Sequence, residues 1–153
     1  MKSNLISIGN VRRPRTGWAE ALRGVAAAGG DTLLDAPADG AGSVGLDVAR
    51  RFEIHLVNLD PKVGGEVQKA RACVVISPDE LNENLQTVMI APMTTNERAY
   101  PTRLPITFQA TRGQIVLDQI RTVDRVRLVT CLGKLTAPQS KALQALLQAM
   151  FAK

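Results

Sequence analysis

Three groups of polar side chains follow apolar segments of the chain, at positions where strands would end. The groups are Glu66, Gln68, Lys69 and Arg71; Thr94 and Thr95; and Asp118, Gln119 and Arg121. If the apolar segments are strands of one small barrel, these side chains converge on one rim, where a ligand can reach them. The guanidinium and hydroxyl groups among them are donors suited to an anionic ligand. An ordinary hairpin rim held by salt bridges explains the same residues and stays open at this point.

Several common kinds of active site lack their minimum set of residues. The sequence has no G-x-x-x-x-G-K-[ST], G-x-S-x-G, H-E-x-x-H or C-x-x-C motif, and no G-x-G-x-x-G followed by a helix. The one histidine, His55, excludes a His-rich metal centre and any mechanism that needs two imidazoles. Cys73 and Cys131 stand singly among apolar neighbours. We therefore expect two buried free thiols rather than a disulfide or a metal site.

Length and composition indicate one ordinary globular domain with an appendage. The chain has 153 residues, of which 45% are hydrophobic and 22% charged, which excludes wholesale disorder, collagen and coiled coil. No apolar run approaches the ~18 residues of a membrane span, and residues 1–15 lack a secretory apolar region. The expected location is therefore the cytoplasm, without membrane contact. Residues 51–153 carry thirteen basic and nine acidic side chains, against six and five in residues 1–50, and this basic balance favours a polyanionic partner.

Short β-branched runs, each bounded by turn residues, predict a mainly β fold. They lie at residues 52–59, 72–76, 87–91, 104–108, 114–117, 120–123 and 128–132. No helix of crossover length lies between them, so we expect a small, strongly bent barrel rather than a parallel α/β sheet. The first run ends at Asp60 and Pro61, a turn pair.

Two helices are predicted, one at each end of the chain. At the C-terminus, Thr136 and Gln139 form a capping box around Pro138. An apolar stripe follows, formed by Leu143, Leu146, Leu147, Met150 and Phe151. This helix should pack on the barrel or form a dimer interface. A shorter helix at about residues 17–29, with Trp18 as its large apolar side chain, precedes a flexible linker at residues 38–50 that is rich in Gly, Ala, Ser and Asp.

Residues 51–153 resemble the MazF/PemK family of toxins from toxin–antitoxin modules. The matching motifs are FEIHLVNLDP, VGGEVQKAR, VVISPDELN, APMTTNERAYPTR, GQIVLDQIRTVDRVRL and LGKL. The resemblance implies a barrel of the MazF/CcdB/Kid type with a packed C-terminal helix. It also implies a homodimer and a metal-independent, sequence-specific endoribonuclease without cofactors that cleaves single-stranded RNA, chiefly mRNA. The implied partner is a cognate MazE-like antitoxin, through which any contact with DNA would be indirect.

The resemblance also implies roles for individual residues. Arg71 and Thr94 stand where the family has its usual catalytic pair, and the implied reaction is attack of the substrate's 2′-hydroxyl on the adjacent phosphate. Arg71 would stabilise negative charge, whereas its high pKa makes it a poor general base. Glu66 is the first candidate base and Asp118 an alternative, weakened because Val116 replaces an arginine found two places earlier in the relevant relatives. The remaining candidates, for contacts to RNA, are Gln68, Lys69, Thr95, Arg98, Asp118, Gln119 and Arg121.

One departure from the family pattern predicts a slower enzyme. Where the family has Thr-Arg-Pro, this chain has Ala70-Arg71-Ala72. The proline that would stiffen the backbone beside the catalytic arginine is missing, and a misplacement of ~1 Å can lower a rate ~100-fold. The same departure supports an alternative reading, a catalytically weakened module that binds an antitoxin. A CcdB-like gyrase poison is a further alternative, against which Arg71, Thr94 and the DQIRT run argue.

Residues 1–37 carry a second resemblance, to fragments of AbrB-like MazE antitoxins. KSNLISIGN is similar to the start of such antitoxins, and residues 12–37 are similar to their C-terminal part. The DNA-binding body between the two is missing, so we expect a remnant without DNA binding. Helix 17–29 could dock on the toxin-like domain through Trp18 and Leu22, with Asp31 and Asp35 near the basic rim, and partly inhibit it. An undocked remnant is the alternative.

Overall fold

The computed structural model describes residues 17–27, 48–59 and 70–153. Its helices are α1 (Trp18–Ala27), α2 (Asp79–Asn84) and α3 (Ala137–Phe151). Its strands are β1 (Glu53–Asn58), β2 (Ala70–Val75), β3 (Thr87–Thr94), β4 (Arg103–Phe108), β5 (Thr111–Val116), β6 (Arg121–Asp124) and β7 (Leu128–Lys134). Each predicted strand is present, and the mainly β class with a C-terminal helix is confirmed. The predicted turn at residues 60–61 lies outside the described residues.

All seven strands form one curled antiparallel sheet in which β3 is the central element. The order is β4-β5-β3-β2-β1-β7, and β6 pairs with β3 off this path. Ile90 pairs with Val75 of β2 and with Arg121 of β6, so β3 has neighbours along both edges. The last two residues of β3, Met93 and Thr94, pair with β5. β3 is therefore the strand through which the two halves of the curled sheet meet.

Helix α3 closes one side of the sheet, as its sequence predicts. The capping box is present, because Thr136 Oγ1 accepts from the Gln139 backbone N–H and Gln139 Oε1 accepts from the Thr136 backbone N–H. Leu143 is fully buried in a cluster that includes Ile54, Val74 and Ile115. Three further members of the stripe pack against this cluster, namely Leu146, Leu147 and Met150. Phe151 ends the stripe and is 76% exposed.

A short helix that the sequence analysis did not predict follows β2. Ser77 Oγ accepts from the Met89 backbone N–H, and the Ser77 carbonyl oxygen accepts from Asn82 Nδ2 at 3.1 Å. Asn82 is completely buried, so these hydrogen bonds satisfy polar groups that would otherwise be unpaired. They fix α2 against the start of β3.

Helix α1 lies beside α2. Trp18 remains 44% exposed, and Leu22 is half-buried. Because α2 follows the C-terminal end of β2, α1 contacts the domain near the end of β2 opposite Arg71. Of the two alternatives left open by the sequence, docking and an undocked remnant, the contact with α2 agrees with docking. Asp31 and Asp35 lie outside the described residues.

The two cysteines have different surroundings. Cys73 on β2 is fully buried, as predicted, and burial raises the pKa of its thiol to about 12, although Arg121 and Arg71 act in the opposite direction. Cys131 is exposed, so the prediction of a second buried thiol was wrong. The reason is topological, because β7 ends the sheet order and presents much of its length to solvent.

Within the described parts of the chain, no helix is both long and apolar enough to cross a membrane.

Candidate active site

Arg71 and Thr94 line the same surface cleft, which has a volume of about 530 Å³. Arg71 is the second residue of β2, and Thr94 is the last residue of β3. The pairing of these strands runs from Val75 with Ile90 to Cys73 with Pro92. Beyond this ladder, the same register extended by two residues would bring Arg71 opposite Thr94, and both residues line the cleft. We call this depression the Arg71–Thr94 cleft.

The hydroxyl of Thr94 has one hydrogen bond that orients it. Thr94 Oγ1 accepts from the backbone N–H of Asn96 at 3.2 Å. A threonine hydroxyl has one hydrogen to donate besides its acceptor lone pairs. The contact with Asn96 uses a lone pair, so the hydroxyl hydrogen remains able to point to an anionic ligand in the cleft.

Arg71 supplies positive charge at the edge of the cleft. The side chain is exposed, and among the described residues no carboxylate forms an ion pair with it. Arg71 and Arg121 both act electrostatically on the thiol of Cys73, so the two guanidinium groups lie within range of the same buried side chain. A guanidinium that is not neutralised by a carboxylate is suited to bind a phosphate.

Strand β5 forms a neighbouring wall of the cleft and fixes the end of β3. Gln114 pairs with Thr94 and is buried. Its side chain donates to the Arg98 carbonyl oxygen at 2.9 Å and accepts from the Arg98 backbone N–H at 3.2 Å. Gln114 therefore connects β5 to the segment that follows Thr94.

Gly113 lets β5 approach Thr94 closely. A Cβ placed on Gly113 would lie 2.5 Å from the Thr94 carbonyl oxygen, a distance that real Cβ atoms do not reach. Gly113 also lines the cleft. The glycine that opens the GQIVLDQIR run is therefore required by the packing of β5 against β3.

The rest of the cleft combines apolar walls with polar side chains. The apolar part consists of Ala72, Met93, Ile106, Phe108 and Leu132, and the further polar part of Thr95, Gln109, Thr111 and Arg112. A second depression of about 420 Å³ shares Ile106, Arg112 and Gly113 with the cleft and extends to Glu97 and Gln139. Apolar and aromatic walls with a few donors and acceptors could hold nucleobases.

The structure brings only some of the predicted site residues together. Arg71, Thr94 and Thr95 line the cleft. Four others lie outside its lining, namely Arg98, Asp118, Gln119 and Arg121. Glu66, Gln68 and Lys69 lie outside the described residues. The cleft also contains Gln109, Thr111 and Arg112, which sequence reasoning missed, although Arg112 directly precedes the recognised GQIVLDQIR run.

Asp118 is held as an ionised carboxylate away from the cleft lining. It accepts from the Thr102 hydroxyl at 3.0 Å and from Arg103 Nε at 3.5 Å. Desolvation alone would raise its pKa, but these hydrogen bonds and the charge of Arg103 outweigh desolvation and lower the pKa of Asp118 below its usual value. A low pKa makes a carboxylate a weak proton acceptor, which argues against Asp118 as a general base.

Comparison with known proteins shows the family of the chain. Residues 50–151 match the family of PemK-like, MazF-like toxins of type II toxin–antitoxin systems. The chain belongs to the PemK/MazF toxin family. A relative, the endoribonuclease MazF9 of Mycobacterium tuberculosis, is 30% identical over 100 residues, which are 59% of this chain and 85% of the relative.

Solved structures of MazF toxins share the fold. The M. tuberculosis toxin MazF-mt6 superposes with a TM-score of 0.55 at 25% identity and covers 65% of this chain and 95% of its own. A MazE–MazF structure from Deinococcus radiodurans has a TM-score of 0.59 at 22% identity, covering 67% and 95%. A mycobacterial endoribonuclease in complex with its cognate antitoxin has a TM-score of 0.56 at 20% identity, covering 66% and 92%. The PemK/MazF domain of this chain therefore has the expected curled sheet with a C-terminal helix.

Proposed function

We propose that this PemK/MazF chain is the toxin of a type II system and acts as a sequence-specific, metal-independent endoribonuclease on single-stranded mRNA. The observation that supports the proposal most is the presence of Arg71 and Thr94 in one cleft. The relative MazF9 is an endoribonuclease by name, which supports the same reaction.

The proposed reaction is an internal transesterification of RNA. The substrate's 2′-oxygen attacks the adjacent phosphorus, the bond from phosphorus to the 5′-oxygen breaks, and a 2′,3′-cyclic phosphate and a 5′-hydroxyl end remain. The proton of the 2′-hydroxyl passes to a general base, and the 5′-oxygen takes up a proton as it leaves. Arg71 would stabilise the negative charge that grows on the phosphate oxygens, and Thr94 would donate a hydrogen bond to one of them.

The general base is assigned to Glu66 as a proposal. Arg71 holds its proton too tightly for this role, and Asp118 contacts Thr102 and Arg103 outside the cleft lining. A guanidinium and a hydroxyl supply the charge and the donor that the attack requires, so the reaction as proposed needs no metal and no cofactor.

The two neighbouring depressions suggest where single-stranded RNA would bind. Thr95, Gln109 and Thr111 offer donors and acceptors within the cleft, and Phe108 offers an aromatic face. The shared walls of the two depressions give room for more than one nucleotide. We propose that Gln68, Lys69, Arg98, Asp118, Gln119 and Arg121 contact RNA around this path.

The test is cleavage of a long RNA by the full chain in the presence of EDTA. We expect cleavage with 2′,3′-cyclic phosphate ends at one recurring sequence, and a loss of at least about 100-fold in rate in Arg71→Gln. Arg23→Gln, on an exposed part of α1, is the matched control and should cleave like the wild type. An Arg71→Gln variant that cleaves at the wild-type rate would refute the assignment of Arg71. A silent wild type would favour an antitoxin-binding module weakened at Ala70 and Ala72, or a CcdB-like gyrase poison.

The N-terminal segment is proposed to be an antitoxin remnant over residues 1–37, joined by residues 38–50 to the toxin domain. The described α1 contacts α2 and contributes no residue to the cleft, so partial inhibition in cis would have to come from other parts of the segment. A short linker would hold such a part at an effective concentration near the millimolar range. Deletion of residues 1–45 should then increase the rate of RNA cleavage, and an unchanged rate would reject inhibition in cis.

We propose a homodimer in the cytoplasm that is neutralised by a separate MazE-like antitoxin and contacts DNA only through it. Solved complexes of relatives with their antitoxins support the antitoxin partner.

A further inference from the structure

Three side chains with metal-binding atoms converge where β1 pairs with β7. Glu53 and His55 are two residues apart on β1, so their side chains share one face of the strand. Cys131 of β7 pairs with His55 in the register of the two strands. The ligand atoms of the three side chains all lie within 4.8 Å of one another. The two paired strands thus carry a cluster of three potential metal ligands. None of the three residues lines the Arg71–Thr94 cleft.

The cluster is already close to the size of a metal coordination sphere. His55 Nε2 and Glu53 Oε2 are 3.0 Å apart. Two ligands at the usual ~2.0 to 2.2 Å from one zinc ion, at a tetrahedral angle, are roughly 3.4 Å apart. The distance between His55 Nε2 and Glu53 Oε2 therefore has to increase only slightly for both atoms to bind one zinc ion.

The thiol of Cys131 lies within 4.8 Å of the other two ligand atoms, and a rotation of its side chain could bring it into one coordination sphere with them. Its present partner is the Gly133 carbonyl oxygen at 3.6 Å, a weak contact that is easily given up. Cys131 is exposed, so no packed core resists this rotation.

The local backbone explains why Cys131 reaches His55. The register between β1 and β7 shifts between Ile54 and His55, so that Ile54 pairs with Gly133 and His55 with Cys131. Leu132 is the extra residue of this bulge and lines the Arg71–Thr94 cleft. The bulge thus places Cys131, rather than Leu132, opposite His55.

The donor set and its charge favour a borderline-soft divalent cation. Imidazole nitrogen and thiolate sulfur select zinc and its transition-metal neighbours, whereas magnesium and calcium prefer oxygen ligands. A carboxylate and a thiolate together carry two negative charges, which one divalent cation neutralises. His55 is 7% exposed, so the cation would lie beside a largely buried side chain.

The second cysteine does not belong to the cluster. Cys73 pairs with His55 on the other edge of β1 but is absent from the group of converging ligand atoms. Its sulfur contacts the Arg71 carbonyl oxygen at 3.6 Å. A substitution of Cys73 is therefore a control for a substitution of Cys131 in the same protein.

We propose that Glu53, His55 and Cys131 form a binding site for Zn²⁺ or a similar transition-metal cation, with a fourth position open to solvent beside Cys131. The ion ties β1 to β7. It lies outside the Arg71–Thr94 cleft and takes no part in RNA cleavage, so the site is independent of the proposed function.

The test is titration of the full chain with Co²⁺, whose absorption reports thiolate coordination, followed by displacement with Zn²⁺. We expect one ion per chain and an apparent affinity at least about 10-fold lower in Cys131→Ser and in Glu53→Gln. Cys73→Ala should bind like the wild type. Circular dichroism checks that each variant is folded, and Cys131→Ser should fold because the side chain is exposed.

A second readout does not depend on variants. Zn²⁺ should slow alkylation of Cys131 in the wild-type chain, and Mg²⁺ should leave it unchanged. A wild type that binds no Co²⁺, or a Cys131→Ser variant with unchanged affinity and absorption, would overturn the proposal. RNA cleavage in EDTA is a separate measurement, so failure of the metal site and failure of the nuclease proposal are distinguishable.

Discussion

The Cα of Gly113 lies so close to the Thr94 carbonyl oxygen that a Cβ at position 113 would be 2.5 Å from it. Gln114, the next residue, pairs with Thr94. The position of the Thr94 hydroxyl in the cleft therefore depends on a glycine in a different strand. This contact is backbone against backbone, so a flexible side chain cannot relieve it.

Gly113→Ala should damage catalysis more than folding. The added Cβ forces β5 and the end of β3 apart, which moves Thr94 relative to Arg71, and a displacement of ~1 Å can lower a rate ~100-fold. We expect kcat for RNA cleavage to fall by about 10- to 100-fold. Gly24→Ala is the control, since a Cβ on Gly24 meets nothing within 4 Å, and the helical position should gain about 0.5 to 1 kcal/mol of stability. Equal cleavage rates in Gly113→Ala and wild type would show that the contact does not position Thr94.

Thr94→Val tests the hydroxyl with the shape of the side chain retained. Loss of one donor to a growing anion lowers kcat by about 100- to 1,000-fold in comparable sites, and we expect a decrease in this range. Thr94→Ser keeps the hydroxyl and should recover most of the rate. Thr122→Val on β6, an exposed threonine, is the control. If Thr94→Ser is as slow as Thr94→Val, the methyl group rather than the hydroxyl matters.

Ala72→Pro should increase the rate of RNA cleavage. Proline restricts the residue before it to extended backbone, and Arg71 is already in a strand. The pairing of β2 with β3 begins only at Cys73, whereas on the other edge Ala72 pairs with Leu56 of β1, so the N–H that proline lacks concerns the β1 ladder alone. An increase of up to about 10-fold in kcat is expected, with thermal unfolding measured in parallel to check the fold. No increase in a folded variant would show that Arg71 is already fixed by its surroundings.

Much of the fold follows from local patterns in the sequence. The capping box at Thr136 and the stripe around Leu143 predict α3 to within a residue, because cap and periodicity act on the same segment. Alternating or continuous apolar runs predict all the strands, including β7, which contains no fully buried residue. Helix α2 was missed because six residues rich in Asp, Glu and Asn carry no apolar period. A buried asparagine and a serine hold it in place through contacts made in the folded structure.

The site was predictable only where a residue type carries the chemistry. Arg71 and Thr94 were predicted through the family motifs, and both line the same cleft. Gly113 allows β5 to approach Thr94 closely, and Gln114 forms hydrogen bonds with the backbone of Arg98 in the segment that follows β3. Both relationships depend on strand register. The exposure of Cys131 likewise depends on β7 being last in the sheet order, which no local pattern shows.

The two thiols should react at very different rates with an alkylating reagent. Burial raises the pKa of Cys73 to about 12, so at neutral pH it stays protonated as well as inaccessible. Cys131 is exposed. Mass spectrometry after brief treatment of the native, metal-free chain should show one modified cysteine, at Cys131, and two after denaturation. Rapid modification of Cys73 in the native chain would show that β2 opens readily.

Asp118→Asn should change the pH dependence of stability. The hydrogen bonds from Thr102 and Arg103 lower the pKa of Asp118 in the folded chain even though desolvation acts against them. A folded pKa below the unfolded value of about 3.9 means that ionisation stabilises the fold above that pH. This contribution is lost as the pH falls through the folded pKa.

We therefore expect Asp118→Asn to unfold at a lower temperature than the wild type at pH 7, by a small amount because the carboxylate is partly exposed. The two melting temperatures should converge as the pH falls below about 3.9, the ordinary aspartate pKa. Thr102→Val removes one of the donors and should reproduce part of the effect. The double variant should show less than the sum of the two changes, because both act on the same carboxylate. A difference between wild type and Asp118→Asn that stays constant from pH 7 to acid would exclude ionisation of Asp118 as its cause.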